Sequence, residues 1–346
     1  MRIGIIARCD DTGLGNQTRE LVSMLNPDKI LLINSRFFNQ NEQHPEWYEG
    51  RNYKTTSRGF PTSGEMADFI RNLDVVISCE TFYSPRFTDI ARHRGVKTIL
   101  QYNYEFFGNL TNPDWSLPDA LVSPSVWNID KIDRLYGGEC RVVHIPPPTD
   151  SATFKSPKEI NMSQDHNRIL HIAGKAAVKD RNGTNSVVEM LKYSKENYEI
   201  VIKTQTELKI NSSDQRLVIQ NSNTKDIKDL YSGYDAMILP RRYAGLCLPM
   251  NEALMSGLPV FMTKVSPNDA VLPDEWTAKS EKIDEFKAKA IIDVYNADPR
   301  MLANIVDEYI LNKNKSDIKQ KAFDIGFNNF DTTMLIDKYL DLINQL

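Results

Sequence analysis

Three stretches of the chain carry residues whose types and spacing suit a phosphorylated ligand. The first is Asp10-Asp11-Thr12-Gly13-Leu14-Gly15-Asn16, directly after the apolar run Ile3–Ala7. Glycines bring backbone N–H groups close to a ligand, and a following helix offers the positive end of its dipole. The dinucleotide fingerprint is incomplete, because Thr18 stands where a third glycine would be. A plain turn capped by Thr12 or Asn16 fits the same residues, so this loop alone decides nothing. The second stretch, Gly174 to Thr184, holds Lys175, Lys179 and Arg181 just after the run Arg168–Ala173. Three cations in a loop at a strand's carboxyl end suit a diphosphate better than a merely solvated loop. The third runs from Pro240 to Ala253 and contains Arg241, Arg242, Gly245, Leu246, Cys247, Pro249 and Glu252. Gly245 permits close backbone approach, Pro249 suits a first helical turn, and Glu252 falls in the turns that follow.

These loops need strands before them and helices after them, and the apolar pattern supplies both. In the first part, Ile3–Ala7, Ile30–Asn34, Val75–Ser78, Thr98–Gln101, Ala120–Ser123 and Val142–Ile145 read as strands. Thr18–Leu25, Met66–Leu73 and Phe87–His93 read as helices between them. The rhythm breaks from Pro146 to Asn167, where three consecutive prolines and a polar stretch suit a linker. It restarts with strands at Arg168–Ala173, Tyr198–Lys203, Leu217–Gln220, Asp235–Leu239 and Pro259–Met262, and helices at Ser186–Lys192, Thr224–Tyr231 and Pro249–Met255. The remainder reads as helical: Ser280–Tyr295, Pro299–Asn312, Ser316–Phe323 and Thr332–Leu346. The expected class is α/β, with two Rossmann-like doubly wound parallel sheets covering 1–150 and 151–330 and a final helix, 331–346, returning to the first. Ligands of such sheets sit at the carboxyl ends of the strands, so the two edges together would line a central cleft.

Bulk properties remove other classes. A chain of 346 residues with 41% hydrophobic and 25% charged side chains has material for two cores. A net charge of −4 gives no general attraction to nucleic acid or anionic membrane. Cys9, Cys79, Cys140 and Cys247 show no metal spacing and read as reduced thiols. No secretory leader or bilayer-spanning run is legible, so a cytoplasmic location is expected, or the host cytoplasm for a viral protein. No metal-ligand cluster stands out, and none of the five histidines occupies an obvious catalytic place. His171, inside a strand, reads as a satisfied core residue.

The run Asp235–Pro240, followed by Gly245-Leu246-Cys247-Leu248-Pro249, Glu252-Ala253-Leu254 and Gly257-Leu258-Pro259-Val260, resembles the donor-binding signature of GT-B glycosyltransferases. It is most similar to the retaining group 1, or family four, enzymes. Gly174, Lys175, Lys179 and Gly183-Thr184 resemble that family's phosphate-contacting loop, and Gly13-Leu14-Gly15 its amino-terminal glycine loop. The resemblance implies transfer of a sugar from a UDP- or GDP-sugar to a hydroxyl acceptor. Glu252 would accept from the nucleotide's ribose hydroxyls. Amides at Gly245, Leu246 and Cys247 would hold phosphate. Lys175 and Lys179, assisted by Arg181, would neutralise the leaving diphosphate. Gly13 and Gly15 would let the first loop approach the donor, and residues 218–221 would face the base.

Two departures stand out. The family's first glutamate, eight positions before Glu252, is Ala244 here, with Arg241, Arg242 or Tyr243 available to compensate. The family's histidine after a first-domain strand is absent from Leu100–Glu105, where Gln101 or Asn103 could serve.

Fixed cations and amides would stabilise the charge of the leaving diphosphate without a metal or other cofactor. Lys179 and Glu252 are the expected catalytic pair. Asp11, with Glu80 and Glu105 as alternatives, is the candidate base should transfer invert. Three acceptors are compatible: a saccharide, a lipid-linked saccharide, or a modified DNA base as in phage enzymes of this architecture. The last needs a basic stripe, for which Arg36, Arg51, Lys54 and Arg58 are candidates among Phe37, Phe38, Trp47, Tyr48, Tyr53 and Phe60. A nucleotide-sugar epimerase or a non-catalytic nucleotide-sugar binder would share the fold.

Overall fold

The computed structural model describes residues 1–38, 41–113, 115–154, 166–174, 178–221, 224 and 227–346. The chain forms two units, one of residues 1–148, 288–290 and 332–346, the other of residues 149–287 and 291–331.

Unit 1 is built from β1 (Ile3–Ala7), α1 (Gly13–Leu25), β2 (Lys29–Leu32), β3 (Tyr53–Thr55), α2 (Ser63–Phe69), β4 (Val75–Cys79), α3 (Phe87–Arg92), β5 (Lys97–Gln101), β6 (Ala120–Ser123), α4 (Ile129–Tyr136) and β7 (Arg141–His144). Its seven strands are parallel in the order β3-β2-β1-β4-β5-β6-β7. β1, β4 and β6 are buried at every position, as unbroken apolar strands covered on both faces must be. The order reverses between β1 and β4, which places a crevice at their carboxyl ends. α1 begins earlier than its apolar period alone indicates, because Thr12 caps it by accepting from the Gly15 N–H.

Unit 2 continues with β8 (Arg168–Gly174), α5 (Thr184–Met190), β9 (Glu199–Thr204), β10 (Leu217–Asn221), α6 (Ile227–Tyr231), β11 (Ala236–Leu239), α7 (Leu248–Met255), β12 (Val260–Thr263), β13 (Thr277–Ala278), β14 (Ser280–Lys287), β15 (Ile291–Ala297), α8 (Pro299–Leu311) and α9 (Lys315–Phe330). Six strands run in the order β10-β9-β8-β11-β12-β13, every pair parallel, and the switch falls between β8 and β11. A buried ion pair secures the start of β11. Lys319 Nζ lies 3.0 Å from Asp235 Oδ1, while Asp235 Oδ2 accepts from the N–H groups of His166 and Arg168. The last helix, α10 (Thr332–Asn344), belongs to unit 1, where Leu335, Tyr339 and Leu342 pack with Ile3, Ile5 and Val75.

One expected element is different. Ser280–Tyr295 is an antiparallel hairpin, β14 with β15, rather than a helix. Ile283, Phe286 and Ala290 imitate helical spacing among Glu and Lys residues. The β-branched and aromatic residues of β15 decide otherwise, since Ile292 and Val294 are buried while Ile291 is exposed.

Candidate functional site

In unit 2, the loops after β8 and β11 flank the switch point, and both are sequence-predicted site loops. They are clamped together by backbone. Arg242 N–H donates to the Arg181 carbonyl at 2.9 Å, and the Arg242 guanidinium donates to the carbonyls of Lys179 and Tyr295. A side chain considered as compensation for the missing glutamate is thus a strut joining three segments. Arg241 is buried and donates to the Leu246 carbonyl, which shapes the turn before α7. Gly183 is the tightest junction. Its φ is +72°, and a β-carbon there would lie 2.2 Å from the Pro240 carbonyl oxygen, so only glycine fits.

The predicted phosphate ligands separate into groups. Lys179 is half-exposed, at φ +56°, and its ammonium is paired with Asp284 of β14. Asp284 is held below the ordinary carboxylate range, chiefly by that hydrogen bond. Asp180 caps α5 with its carboxylate, accepting from Thr184 and Asn185 N–H at 3.0 and 2.9 Å. That helix therefore already carries its anion. α7 differs: Cys247 provides no side-chain cap, the first turn holds no acid, and Pro249 occupies the start. Gly245 and Cys247 are buried and Leu246 is half-buried immediately before it. Lys175 lies outside the described residues. Residues 218–221 lie on β10, the edge strand, with β9 between it and β8.

Glu252 sits on α7, half-buried, where Tyr231 Oη–H donates to its Oε2 at 2.5 Å. Tyr231 is fully buried, and burial first, then the adjacent carboxylate, raise its phenol well above the usual range. The tyrosine stays neutral and orients the carboxylate. Ala244, in the place of the family's first glutamate, has φ +96° and is buried. His171 is a satisfied core residue: Nδ1 meets the Ile238 carbonyl and Nε2 the Thr184 hydroxyl, each at 2.9 Å. Burial lowers its pKa to about 4, so it is neutral. The hairpin also reaches these loops, with Phe286 edge-on to Tyr243 at 5.0 Å and Asn296 accepting from Ser186.

In unit 1, Gly13 opens α1 and is exposed, whereas Gly15 is buried against the end of β1. A β-carbon at Gly15 would stand 2.0 Å from the Asp10 carbonyl oxygen. The glycine is therefore required for helix-on-strand contact whatever else it does. Asp10 is fully buried against Arg8 and accepts from the Thr12 hydroxyl at 2.5 Å. Gln101 is also fully buried, accepting from Gln17 and donating to the Ile145 carbonyl. It is part of the core rather than a reaching side chain. Glu80 follows β4 at φ +66°, and burial and then the Glu105 carboxylate raise its pKa against the pull of Arg8.

Asp11 is exposed, and its Oδ1 lies 3.0 Å from His44 Nε2, while His44 Nδ1 lies 2.8 Å from Glu46 Oε1. Glu46 is held ionised by its own backbone N–H and then by His44. Burial opposes charge on His44, but the hydrogen bond to Glu46 and the Asp11 carboxylate 3.0 Å away outweigh it and raise the imidazole's pKa. This histidine escaped notice in the sequence because it lies 33 positions after Asp11; only the pairing of residues 42–44 with the end of β1 joins them. Tyr231 and Asp284 were missed for the same reason. Of the proposed basic stripe, Lys54 pairs with Asp68 and Arg51 donates to Asn26. Tyr48 is buried and Trp47 stacks on His44, so Phe37, Phe38 and Phe60 are the exposed rings of that segment.

Comparisons with known proteins agree with this geometry. The family model described as Glycosyl transferases group 1 matches residues 153–322. Curated protein sequences return no match. Among solved structures, the chain is similar to Anabaena HepE in complex with UDP and glucose, at 11% identity over 100% of both chains with a TM-score of 0.66. A Rickettsia africae glycosyltransferase matches at 13% identity over 99% of this chain and 98% of that one, TM-score 0.69. Sucrose-phosphate synthase of Thermosynechococcus elongatus matches at 11% identity over 100% and 98%, TM-score 0.63. At such identities these likenesses speak for the shared two-sheet GT-B fold. No helix among the described residues is long and apolar enough to cross a membrane.

Proposed function

From the premise that this chain is a group 1 glycosyltransferase of the GT-B fold, we propose that it transfers a sugar from a UDP- or GDP-sugar to an acceptor hydroxyl, with retention of configuration. The observation that carries the donor assignment is the α7 start at the unit 2 switch point. An uncapped helix, preceded by Gly245–Cys247 and free of first-turn acid, suits an anion, and Glu252 stands on the same helix with its carboxylate oriented by Tyr231.

Cleaving the sugar–phosphate bond moves its electron pair onto the diphosphate oxygen. Among the described residues of unit 2, Lys179 and the α7 amides suit that charge. Lys179 must first exchange Asp284 for phosphate. Both side chains are about two-fifths exposed, so the pair is weak enough to be displaced. Retention suits a reaction in which the leaving phosphate takes the acceptor proton and no strong protein base is needed. UDP is favoured by the HepE likeness alone.

The acceptor reading is a saccharide or lipid-linked saccharide. Lys54 pairs with Asp68 and Arg51 donates to Asn26, exposed contacts that a phosphate could displace as at Lys179, so salt-sensitive DNA binding would move the acceptor reading to a modified DNA base. Incubation with a panel of UDP- and GDP-sugars and mixed saccharide acceptors, followed by NMR of the product, tests the proposal. An axial-linked product from an axial donor is expected. An inverted anomer would move the reading to a base-catalysed enzyme, and donor turnover without acceptor would move it to an epimerase or hydrolase.

A further inference from the structure

In unit 1 the segment 42–46 is fastened to the end of β1 by main chain. His44 N–H donates to the Cys9 carbonyl at 2.5 Å, Gln43 bridges antiparallel to Asp10, and Asp11 N–H donates to the Glu42 carbonyl at 3.4 Å. This pairing brings one donor atom from each of Asp11, Glu42 and His44 within 4.8 Å of the others. The ring of His44 is fixed. Its Nδ1–H donates to Glu46 Oε1 at 2.8 Å, and it stacks on Trp47 at 4.8 Å and 13°. The other nitrogen, Nε2, is shielded from solvent and lies 3.0 Å from Asp11 Oδ1 without the alignment of a hydrogen bond. Two ligands of one ion, each bound at 2.0–2.1 Å, stand roughly 2.9–3.4 Å apart.

We propose that Asp11, Glu42 and His44 form a binding site for a first-row divalent transition ion such as Zn²⁺, with Glu46 as the residue that orients the imidazole. The arrangement has the parts such a site needs. A carboxylate on the far nitrogen fixes the tautomer and leaves the lone pair on Nε2 for the metal. Imidazole with two carboxylates suits Zn²⁺ or Mn²⁺, whereas Mg²⁺ prefers oxygen and water alone. Three protein ligands leave coordination positions open. Asp11 and Glu42 are exposed, so those positions can take water or an oxygen of a bound molecule. The site lies at the end of β1, beside the start of α1 and the β1/β4 switch point. A metal there would tie the segment 42–46 to the sheet and present a Lewis acid to a hydroxyl or anionic group bound by unit 1. The inference stands apart from the donor reading, which uses unit 2.

The test is titration of the untagged, metal-stripped full chain with Zn²⁺ and Co²⁺, read by calorimetry and by Co²⁺ visible absorption, with Mg²⁺ as a comparison. One equivalent per chain is expected, with ligand-field bands for Co²⁺ and no competition from equimolar Mg²⁺. His44→Gln and Glu42→Gln should abolish the one-equivalent transition. Glu46→Gln should weaken it about 10–100-fold. Thermal melts of the stripped variants report folding, and exposed Glu42 provides the reading should His44→Gln be unstable. Absence of saturable binding, or binding that both His44→Gln and Glu42→Gln leave intact, would overturn the proposal.

Discussion

The two sheets share one topology and end in edges of opposite chemistry. At the unit 2 switch point, basic side chains are spent on building the loops. Arg241 and Arg242 hold carbonyls, and Lys179 holds Asp284. At the unit 1 switch point acids collect: Asp10 is buried against Arg8, Asp11 and Glu46 flank His44, and Glu80 lies near Glu105. The same doubly wound plan therefore presents an uncapped helix start among basic loops in one unit and an acid-rich edge in the other. Fold dictates where a ligand sits, and loop charge dictates which ligand.

That contrast can be broken at several points. The largest effect is expected at Lys319→Met, which leaves Asp235 charged and fully buried in unit 2. A loss of about 3–5 kcal/mol is expected by denaturant unfolding, and unit 1 should retain its melting transition. An unchanged unit 2 transition would show that β11, and with it the loop before α7, is anchored by other means.

A second effect is confined to acid. His171 has a folded pKa of about 4 against an unfolded value of 6.5. The folded state refuses a proton that the unfolded chain accepts, so stability is full above 6.5 and falls as pH drops from there toward 4. The loss approaches roughly 3 kcal/mol. Melting of unit 2 across this range checks it, and His171→Gln should flatten the profile.

A smaller effect separates orientation from binding. Tyr231→Phe removes the hydroxyl that holds Glu252 and should cost about 1 kcal/mol of stability. It should also weaken nucleotide binding less than loss of Glu252 itself. Equal effects in calorimetry would make the tyrosine a ligand-binding group in its own right.

The smallest is in unit 1. Glu80 has a raised pKa in the folded state, so its folded carboxyl favours the proton and its ionisation opposes folding as pH rises. Glu80→Gln should therefore melt higher than the parent, by an increment that grows as pH rises above the ordinary carboxylate range. A lower melting temperature at neutral pH would show that Glu80 makes a favourable charged contact.

Much of unit 2's candidate site was legible because its parts are contiguous. Gly245 to Glu252 is one short run, and the helix, its proline start and its acid are read in order. The strands were legible for a similar reason, being unbroken apolar runs between Gly, Pro and polar breaks. What escaped is non-local. His44 reaches Asp11 only through a backbone pairing, Tyr231 reaches Glu252 across two helices, and Asp284 arrives on a hairpin. That hairpin was hidden because its turn, Ala288-Lys289-Ala290, carries no glycine, proline or asparagine. α4 begins at Asn128 in the left-handed region with no side-chain cap, and β3 is a short, half-exposed edge strand. Neither offers the pattern by which such elements are recognised.

The central claim is that unit 2 binds a nucleotide-sugar through α7. It is tested most directly by calorimetry of the full chain with UDP, GDP and their sugars, beside Glu252→Gln. The account predicts saturable binding of one nucleotide series and at least about a tenfold loss in the variant, the worth of a charged hydrogen bond. Binding that Glu252→Gln leaves unaltered, or no binding to any member of the panel, would contradict it.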